Sequence, residues 1–268
     1  MTADQETGAT DRDSGTSGQR PARTSRVSRR ALLLSGGGLA VGAGVTGAAW
    51  AITDTSASSP AKAAPSSVIP PDDDLMREHG VLKRVLLCYR ELTGQIQGGK
   101  TVSPAHLQDS ALIIHDFIEG FHEGLEEGYV FPRVSSQRKQ LAGTVTTLLT
   151  QHARGRVITQ FILTHTAAGQ VASPGMNTRL AAAMQAFVTM YEPHEAREDT
   201  VIFPAFRQIV PAAELADLGR HFTDLEHQQF GTDEFTAMVG RVADIEEELG
   251  IYDLNQFTPQ ITPYLPQV

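Results

Sequence analysis

The segment HEGLEEGYVFP occupies residues 122–132, and 72 residues later a second copy, HEAREDTVIFP, occupies residues 194–204. Both copies contain a histidine, glutamates one and four residues later, an acid five residues later, and a Phe-Pro pair at the end. A histidine and a glutamate four residues apart lie on one face of a helix, one turn from each other. The repeat therefore predicts two helices that each present a metal-binding face.

Two further histidines, His79 and His152, extend the repeat. Together with His122 and His194 they are spaced 43, 30 and 42 residues apart, one on each of four consecutive predicted helices. The 73 residues from His79 to His152 nearly equal the repeat distance, which indicates two similar helical hairpins related by a pseudo-twofold axis. In antiparallel helices with short loops, such spacings bring the side chains to one level of the core. We predict two metal ions, each held by two histidines and bridged by two glutamates, with the ligands His79, His122, Glu126, His152, His194 and Glu198.

The rest of the chain is predicted to be helical, with no convincing strand. Capping residues, prolines and apolar periodicity predict six helices. Their ranges are 72–93, 104–131 (ended by Pro132), about 136–169, 174–209 (kinked by Pro193), 212–229 and 232–249, followed by an extended tail. The predicted fold is all-α: an up-and-down four-helix bundle over residues 72–210 with a short helical extension over residues 211–268.

The N-terminal region is predicted to be a targeting segment. Residues 1–27 have the composition of a disordered chain, and Arg29-Arg30 precede an uncharged, Gly-rich run that ends at Ala51. This pattern over residues 1–51 is typical of a twin-arginine export signal, with residues 52–71 as a linker. An ordinary secretory signal or a single membrane anchor remains as an alternative, and cleavage could follow Ala51 or Ala63. We expect an exported protein that contacts a membrane only if the signal is retained.

Composition excludes several classes of function. The formal net charge is −9, and residues 1–63 are positive while the remainder is acidic. An acidic body argues against nucleic-acid binding, which requires a basic face. The single cysteine, Cys88, excludes an internal disulfide, a cysteine-based zinc site and an iron–sulfur cluster, and its apolar neighbours indicate a buried, inert thiol.

The ligand set restricts the metal. Without thiolates, copper(I) and zinc-finger sites are disfavoured, and four imidazoles are too many for Ca²⁺ or Mg²⁺. Mixed histidine and carboxylate ligation suits iron, manganese or zinc, and bridging carboxylates favour a dinuclear centre. Ferritin-like di-iron proteins use Glu-x-x-His pairs, whereas this chain has His-x3-Glu pairs, so the pattern argues against that group.

These motifs resemble the hemerythrin family, specifically the hemerythrin-like HHE cation-binding group. The similarity covers residues 72–210, and the final residues more weakly resemble the extension of exported bacterial members. The matching pieces are Glu78-His79, Phe121-His122 with Glu126-Glu127 and Phe131-Pro132, Gln151-His152 with Arg156, and His194 with Glu198-Asp199 and Phe203-Pro204. The resemblance implies a four-helix bundle with two non-haem iron ions that meet O₂, manganese and zinc being the less favoured ions.

Two departures from the family pattern bear on function. Oxygen-carrying members have a second histidine where this chain has Arg156, and their fourth-helix acid lies five residues after the histidine, where this chain has Asp199 behind Glu198. Fewer imidazoles leave open positions on iron, which argues against simple reversible O₂ carriage and for a redox, sensing or iron-handling role. Glu123 is a candidate for an additional ligand.

The remaining histidines are not expected to bind metal. His106, His165 and His221 are read as ordinary hydrogen-bonded residues. His115 lies seven residues before His122, about 10 Å along a helix, and is too far to share its ion. His227 is left as a surface or outer residue. The Glu246–Glu248 run is expected to be a solvated helix face.

Three functions are compatible with these observations. The first is a di-iron protein that binds or senses O₂ or a related small oxidant outside the cytoplasm. The second is an oxidoreductase that acts on peroxide, nitric oxide or Fe²⁺ at the same centre. The third is a metal-stabilised structural module without catalysis. Whether the chain is an enzyme, and its oligomeric state, stay open.

Overall fold

The computed structural model describes residues 68–167, 173–231 and 233–261, which belong to one unit spanning residues 62–268. The predicted export signal, most of the linker and the end of the predicted tail lie outside these residues. Within the described ranges there are six long helices and no strand, so the all-α prediction is confirmed. The helices are α1 (Pro71–Gln97), α2 (104–137), α3 (Ala142–Thr166), α4 (174–209), α5 (Ala212–Phe230) and α6 (Glu234–Leu249), with short 3₁₀ turns at Lys139–Leu141 and Leu254–Phe257.

Helix α2 continues past Pro132 to Gln137, so the predicted end at this proline is wrong. The five residues Glu126–Val130 form a π-helical turn, in which the N–H of Phe131 bonds to the carbonyl of Glu126, five residues back. An α-helical interior places the proline ring against the carbonyl four residues back, and a π turn rearranges these carbonyls. The helix therefore accommodates the proline.

The second copy of the repeat has the same backbone. In α4 the π-helical turn is Glu198–Ile202, and the N–H of Phe203 bonds to the carbonyl of Glu198. A longer π-helical segment of α2, Ile114–His122, ends at the first residue of the first copy. Each Phe-Pro pair thus follows a π turn that begins at a glutamate predicted to bind metal.

Local sequence explains several helix ends. Asp72–Asp74 lie in the first turn of α1, where carboxylates interact favourably with the positive end of the helix dipole. The hydroxyl of Ser173 accepts a hydrogen bond from the N–H of Met176 at the start of α4. Gly231 and Gly250 end α5 and α6 with φ of 78° and 72°, in the left-handed region that favours glycine. Helix α3 is shorter than predicted because residues up to Gln137 belong to α2.

The first four helices pack in sequence order around a shared core. Contacts join α1 to α2, α2 to α3, α3 to α4, and α4 back to α1. Large aromatic residues are fully buried in this core, among them Phe117, Phe131, Phe187 and Phe203. Each of the four helices therefore has a face directed at the same interior, which is where the candidate site lies.

The C-terminal helices are part of the same hydrophobic core. Helix α6 packs on α1 and α2, and α5 packs on α1. Phe222 and Val242 are buried in the core cluster. Glu246 is only 5% exposed and pairs with Arg84 at 2.5 Å, so the expected solvated face is wrong at this position. The extension stabilises α1 from outside, and no described helix has the length and apolarity needed to cross a membrane.

Gly155 permits a close approach between α3 and α4. A Cβ at this position would overlap the phenol oxygen of Tyr191 and lie 2.9 Å from two of its ring carbons. Because Tyr191 is buried and cannot move aside freely, Gly155→Ala should lower the free energy of unfolding by about 1–3 kcal/mol. Chemical denaturation measures this change. The control is Gly143→Ala in the same helix, where nothing lies within 4 Å of the new Cβ; an equal loss in both variants would contradict the close contact.

Candidate metal centre

Six buried side chains form two neighbouring groups in the interior. One group is His79, His122 and Glu126, from α1 and α2; the other is His152, His194 and Glu198, from α3 and α4. In each group the candidate ligand atoms lie within 4.8 Å of one another, and every one of the six residues is at most 3% exposed. The structure therefore brings together all six residues that the sequence repeat predicts, one group from each hairpin.

Each of the two glutamates, Glu126 and Glu198, lies between one histidine of the first hairpin and one histidine of the second. The carboxylate of Glu126 is 3.5 Å from Nε2 of His122 through one oxygen and 3.5 Å from Nε2 of His152 through the other. An oxygen of Glu198 is 3.5 Å from Nε2 of His79 and 3.2 Å from Nε2 of His194. All four rings therefore turn Nε2 inward, and each carboxylate is placed to join the two groups.

The opposite nitrogen of every ring has its own acceptor. The Nδ1–acceptor pairs are His79 with Asp199 at 2.7 Å, His122 with Glu78 at 2.7 Å, His152 with Glu127 at 2.9 Å, and His194 with the side-chain oxygen of Gln151 at 2.9 Å. Because each acceptor is an oxygen, Nδ1 donates a proton to it, and Nε2 faces the interior as the candidate ligand atom. Outer partners of this kind orient metal-binding histidines.

These outer partners were not assigned from the sequence, although a signal exists. Glu78 and Gln151 each immediately precede a histidine of the site, and Glu127 and Asp199 each lie five residues after one. The duplicated spacing that indicated the ligands therefore also marked their partners.

The inner atoms lack the hydrogen bonds that burial normally requires. Both oxygens of Glu126 and both oxygens of Glu198 have no hydrogen-bond partner, and both residues are 0% exposed. In addition, Nε2 of His152 and Nε2 of His194 are 3.1 Å apart, so their lone pairs repel unless a proton or a cation lies between them. Buried polar groups without partners are costly. The donor set fits metal cations held between the two hairpins.

Comparison with known proteins places the chain among mycobacterial relatives. It is 49% identical over 187 residues to the uncharacterized protein Rv1995 of Mycobacterium tuberculosis (strain ATCC 25618 / H37Rv), covering 70% of this chain and 73% of the relative. The match to the uncharacterized protein Mb2018 of Mycobacterium bovis has the same identity and coverage. The chain belongs to the family of these proteins. No protein-family model matches the chain, and no solved structure matches it.

Burial and neighbouring charges shift the pKa values of several of the six residues. Burial, and then the nearby His152, lower the pKa of His194 to about 3, and burial lowers the pKa of His79. Both rings are therefore neutral near pH 7, the form in which imidazole binds metals. Burial opposes ionisation of Glu126, but the neighbouring His122 outweighs it and the pKa falls to about 2. Burial likewise opposes protonation of His122, but Glu126 and Glu78 outweigh it and hold its pKa well above the usual range, so a metal ion at Nε2 of His122 would replace a proton. Burial, and then Glu126, hold the pKa of Glu198 well above its usual range.

Glu123, the candidate additional ligand, lies in neither group of three. One of its oxygens accepts a hydrogen bond from the hydroxyl of Tyr191 at 2.7 Å, and the other is 2.6 Å from the guanidinium of Arg156. The same guanidinium is 2.7 Å from Glu127. With Glu127 and His152, Glu123 forms a third cluster that could hold a cation, and Arg156 supplies a positive charge there. Glu123 and Arg156 thus lie beside the second group of three, next to His152.

The other histidines lie outside the ligand groups of the described residues. His106 pairs with Glu248, Nδ1 of His165 lies 2.8 Å from the carbonyl of Phe161, and His221 contacts the hydroxyl of Tyr129. His115 is exposed beside Asp116, and His227 is exposed. Cys88 is fully buried, and burial raises the pKa of its thiol to about 12.

A surface cavity reaches one of the inner rings. Its volume is about 260 Å³, and its lining includes Gln151, Pro193, His194 and Arg197. Gln151 also holds Nδ1 of His194. The cavity therefore leads from solvent, between α3 and α4, to the back of a candidate ligand.

Proposed function

We propose that the protein is a non-haem di-iron protein, similar to the hemerythrin-like group, that binds or senses O₂ or a related small oxidant. The observation that carries the proposal is the set of four unpartnered carboxylate oxygens of Glu126 and Glu198, surrounded by the Nε2 atoms of four buried histidines. In this proposal α1–α4 are a four-helix bundle, and the predicted twin-arginine signal directs the protein outside the cytoplasm.

The ligand chemistry supports two ions rather than one. His79 and His122 would hold one ion, and His152 and His194 would hold the other. The carboxylates of Glu126 and Glu198 would bridge the two ions, since each carboxylate lies near one histidine of its own group and one histidine of the other group. Imidazole with carboxylate suits iron, manganese and zinc, and of these iron supplies reversible electron transfer and open positions for O₂.

The protein contributes a dry and oriented environment. Phe131 stacks on His152 with 5.6 Å between ring centroids, and Phe203 stacks on His79 with 5.5 Å. The phenylalanine of each Phe-Pro pair therefore covers a ligand ring from the direction of the π turn. Together with the outer acceptors on Nδ1, this packing holds the rings in place and excludes water from one side of the site.

The cavity beside His194 favours the second candidate, an oxidoreductase. It brings a small oxidant as far as the outer side of His194, and Gln151 and Arg197 are polar groups of its lining. Peroxide, nitric oxide and Fe²⁺ are reactants of suitable size.

Metal analysis combined with spectroscopy tests the proposal. Protein purified without added metal, or reconstituted with Fe²⁺ under anaerobic conditions, should hold two irons per chain and develop a near-ultraviolet charge-transfer band when O₂ is admitted. His194→Ala should lose this band while circular dichroism shows an intact helical fold. Peroxide turnover that disappears in the same variant would indicate the enzyme. One zinc ion per chain and no response to O₂ would contradict both redox functions and leave the structural module.

A further inference from the structure

A basic residue follows the first site histidine of each hairpin by four residues. Lys83 lies four residues after His79 on α1, and Arg156 lies four residues after His152 on α3. Residues four apart share one face of a helix. The pseudo-twofold repeat therefore includes two cations as well as the six inner ligands.

Arg156 connects α3 to two acids of α2. Its guanidinium is 2.6 Å from Glu123 and 2.7 Å from Glu127. The oxygen of Glu127 that Arg156 contacts is also the acceptor for Nδ1 of His152, at 2.9 Å. The hydroxyl of Tyr191 holds the other oxygen of Glu123. A closed chain of contacts therefore runs from Arg156 through Glu127 to the histidine one turn earlier on the same helix.

Lys83 makes the equivalent connection from α1 to α4. Its ammonium group is 3.2 Å from Asp199 and 3.9 Å from Glu195. Asp199 is in turn 2.7 Å from Nδ1 of His79. Glu195 and Asp199 occupy the same places in the second copy of the repeat as Glu123 and Glu127 in the first. Both cations therefore bind the two outer acids of the facing copy.

We propose that Arg156 and Lys83 are matched positioning residues, each of which fixes the outer acid that orients one metal-binding histidine. Arg156 acts on His152 through Glu127, and Lys83 acts on His79 through Asp199. The inference rests on the proposed metal binding for its purpose, since an oriented ring with Nδ1 protonated directs a free Nε2 at the ion. In oxygen-carrying members of the hemerythrin family, which this chain resembles, the position of Arg156 is occupied by another histidine. Here Arg156 instead supports a proposed ligand.

Each copy of the repeat needs a nearby cation because several acidic side chains lie close together around the site. Glu123 is 1% exposed, so its carboxylate is removed from water and needs a neighbouring positive charge, which the guanidinium of Arg156 supplies at 2.6 Å. Without Arg156, two neighbouring carboxylates on α2 would repel, and Glu127, which is partly exposed, would turn toward water. Nδ1 of His152 would then lose its acceptor and the ring its fixed orientation.

Arg156 and Lys83 do not hold their acidic partners equally firmly. Arg156 contacts both acids at short distances through a planar guanidinium, and Tyr191 supports one of those acids. Lys83 is 50% exposed and has one contact of ordinary hydrogen-bond length. A guanidinium holds two carboxylates in a fixed geometry, whereas an ammonium acts as a point charge. Loss of Arg156 should therefore have the larger effect.

The test compares Arg156→Gln, Arg156→Lys and Lys83→Gln with Arg154→Gln, an exposed arginine on the same helix as Arg156. Chelator competition with Co²⁺ measures ion affinity. Loss of an outer partner typically weakens metal affinity about 10–100-fold. We expect that range for Arg156→Gln, a smaller loss for Lys83→Gln, partial recovery for Arg156→Lys, and no change for Arg154→Gln.

Nitrogen-15 NMR of the histidine rings in metal-free protein gives a readout that a general loss of stability would not produce. Arg156→Gln should convert His152 from the Nδ1-protonated form to a mixture of tautomers and leave His79 unchanged; Lys83→Gln should do the reverse. Unchanged tautomers and affinities in both variants would overturn the proposal. If Arg156→Gln does not fold, Arg156→Lys carries the same comparison. A wild-type protein that binds no ion would contradict the proposed function alone, because the tautomers still test the positioning roles.

Discussion

Removing bound metal should lower the midpoint of thermal unfolding by about 8–16 °C. An ion that binds only the folded chain stabilises it by about 4 kcal/mol when its free concentration is a thousand times its dissociation constant. For a domain of this size each kcal/mol corresponds to about 2–4 °C. The six ligands come from four helices, so the unfolded chain cannot reproduce the site. Differential scanning calorimetry before and after treatment with a strong chelator measures the shift.

The control for this prediction is a double variant, Glu126→Ala with Glu198→Ala. Its unfolding midpoint should be the same with and without chelator, since it lacks both carboxylates proposed to bridge the ions. A chelator-dependent shift that persists in the double variant would place the stabilising ion elsewhere in the chain.

Replacing Glu198 with methionine should have opposite effects on the metal-free and the metal-loaded protein. Without metal, Glu198 is a fully buried carboxyl group with no hydrogen-bond partner, and burial raises its pKa well above the usual range. A buried unsatisfied polar group costs about 1–3 kcal/mol. Methionine has a similar length and no such cost, so Glu198→Met should raise the unfolding free energy of the metal-free protein by about that amount. The same change should abolish the stabilisation by metal.

Urea denaturation of both forms measures these two effects. Glu192→Met provides the comparison, because Glu192 lies on the same helix, is 43% exposed and pairs with Arg90. It should change neither stability by more than about 0.5 kcal/mol, as is usual for surface substitutions. A metal-free Glu198→Met protein that is less stable than wild type would show that the carboxyl group supports the fold by itself, contrary to a role in holding an ion.

The placement of the six candidate ligand residues could be predicted because it depends mainly on helical periodicity. His122 and Glu126 are four residues apart, as are His194 and Glu198, and the two pairs are separated by the repeat distance of 72 residues. Periodicity of this kind survives packing, since it only requires that the residues lie on helices with a common interior face.

Other features depend on contacts between distant parts of the chain. The continuation of α2 through Pro132 requires a π turn, which local propensities do not reveal. The burial of Glu246 requires α6 to pack on α1, where Arg84 neutralises it. Arg156 on α3 contacts Glu123 and Glu127 on α2. The sequence pattern shows only that Arg156 replaces a histidine ligand of the hemerythrin family and does not reveal these contacts.

Anomalous X-ray scattering at the iron absorption edge, from crystals of the iron-reconstituted protein, tests the central claim most directly. Two peaks are expected in the interior of α1–α4: one among His79, His122 and Glu126, and the other among His152, His194 and Glu198, with both carboxylates in contact with both ions. A single peak, peaks at surface acids, or an interior without anomalous signal would contradict a dinuclear centre bridged by Glu126 and Glu198.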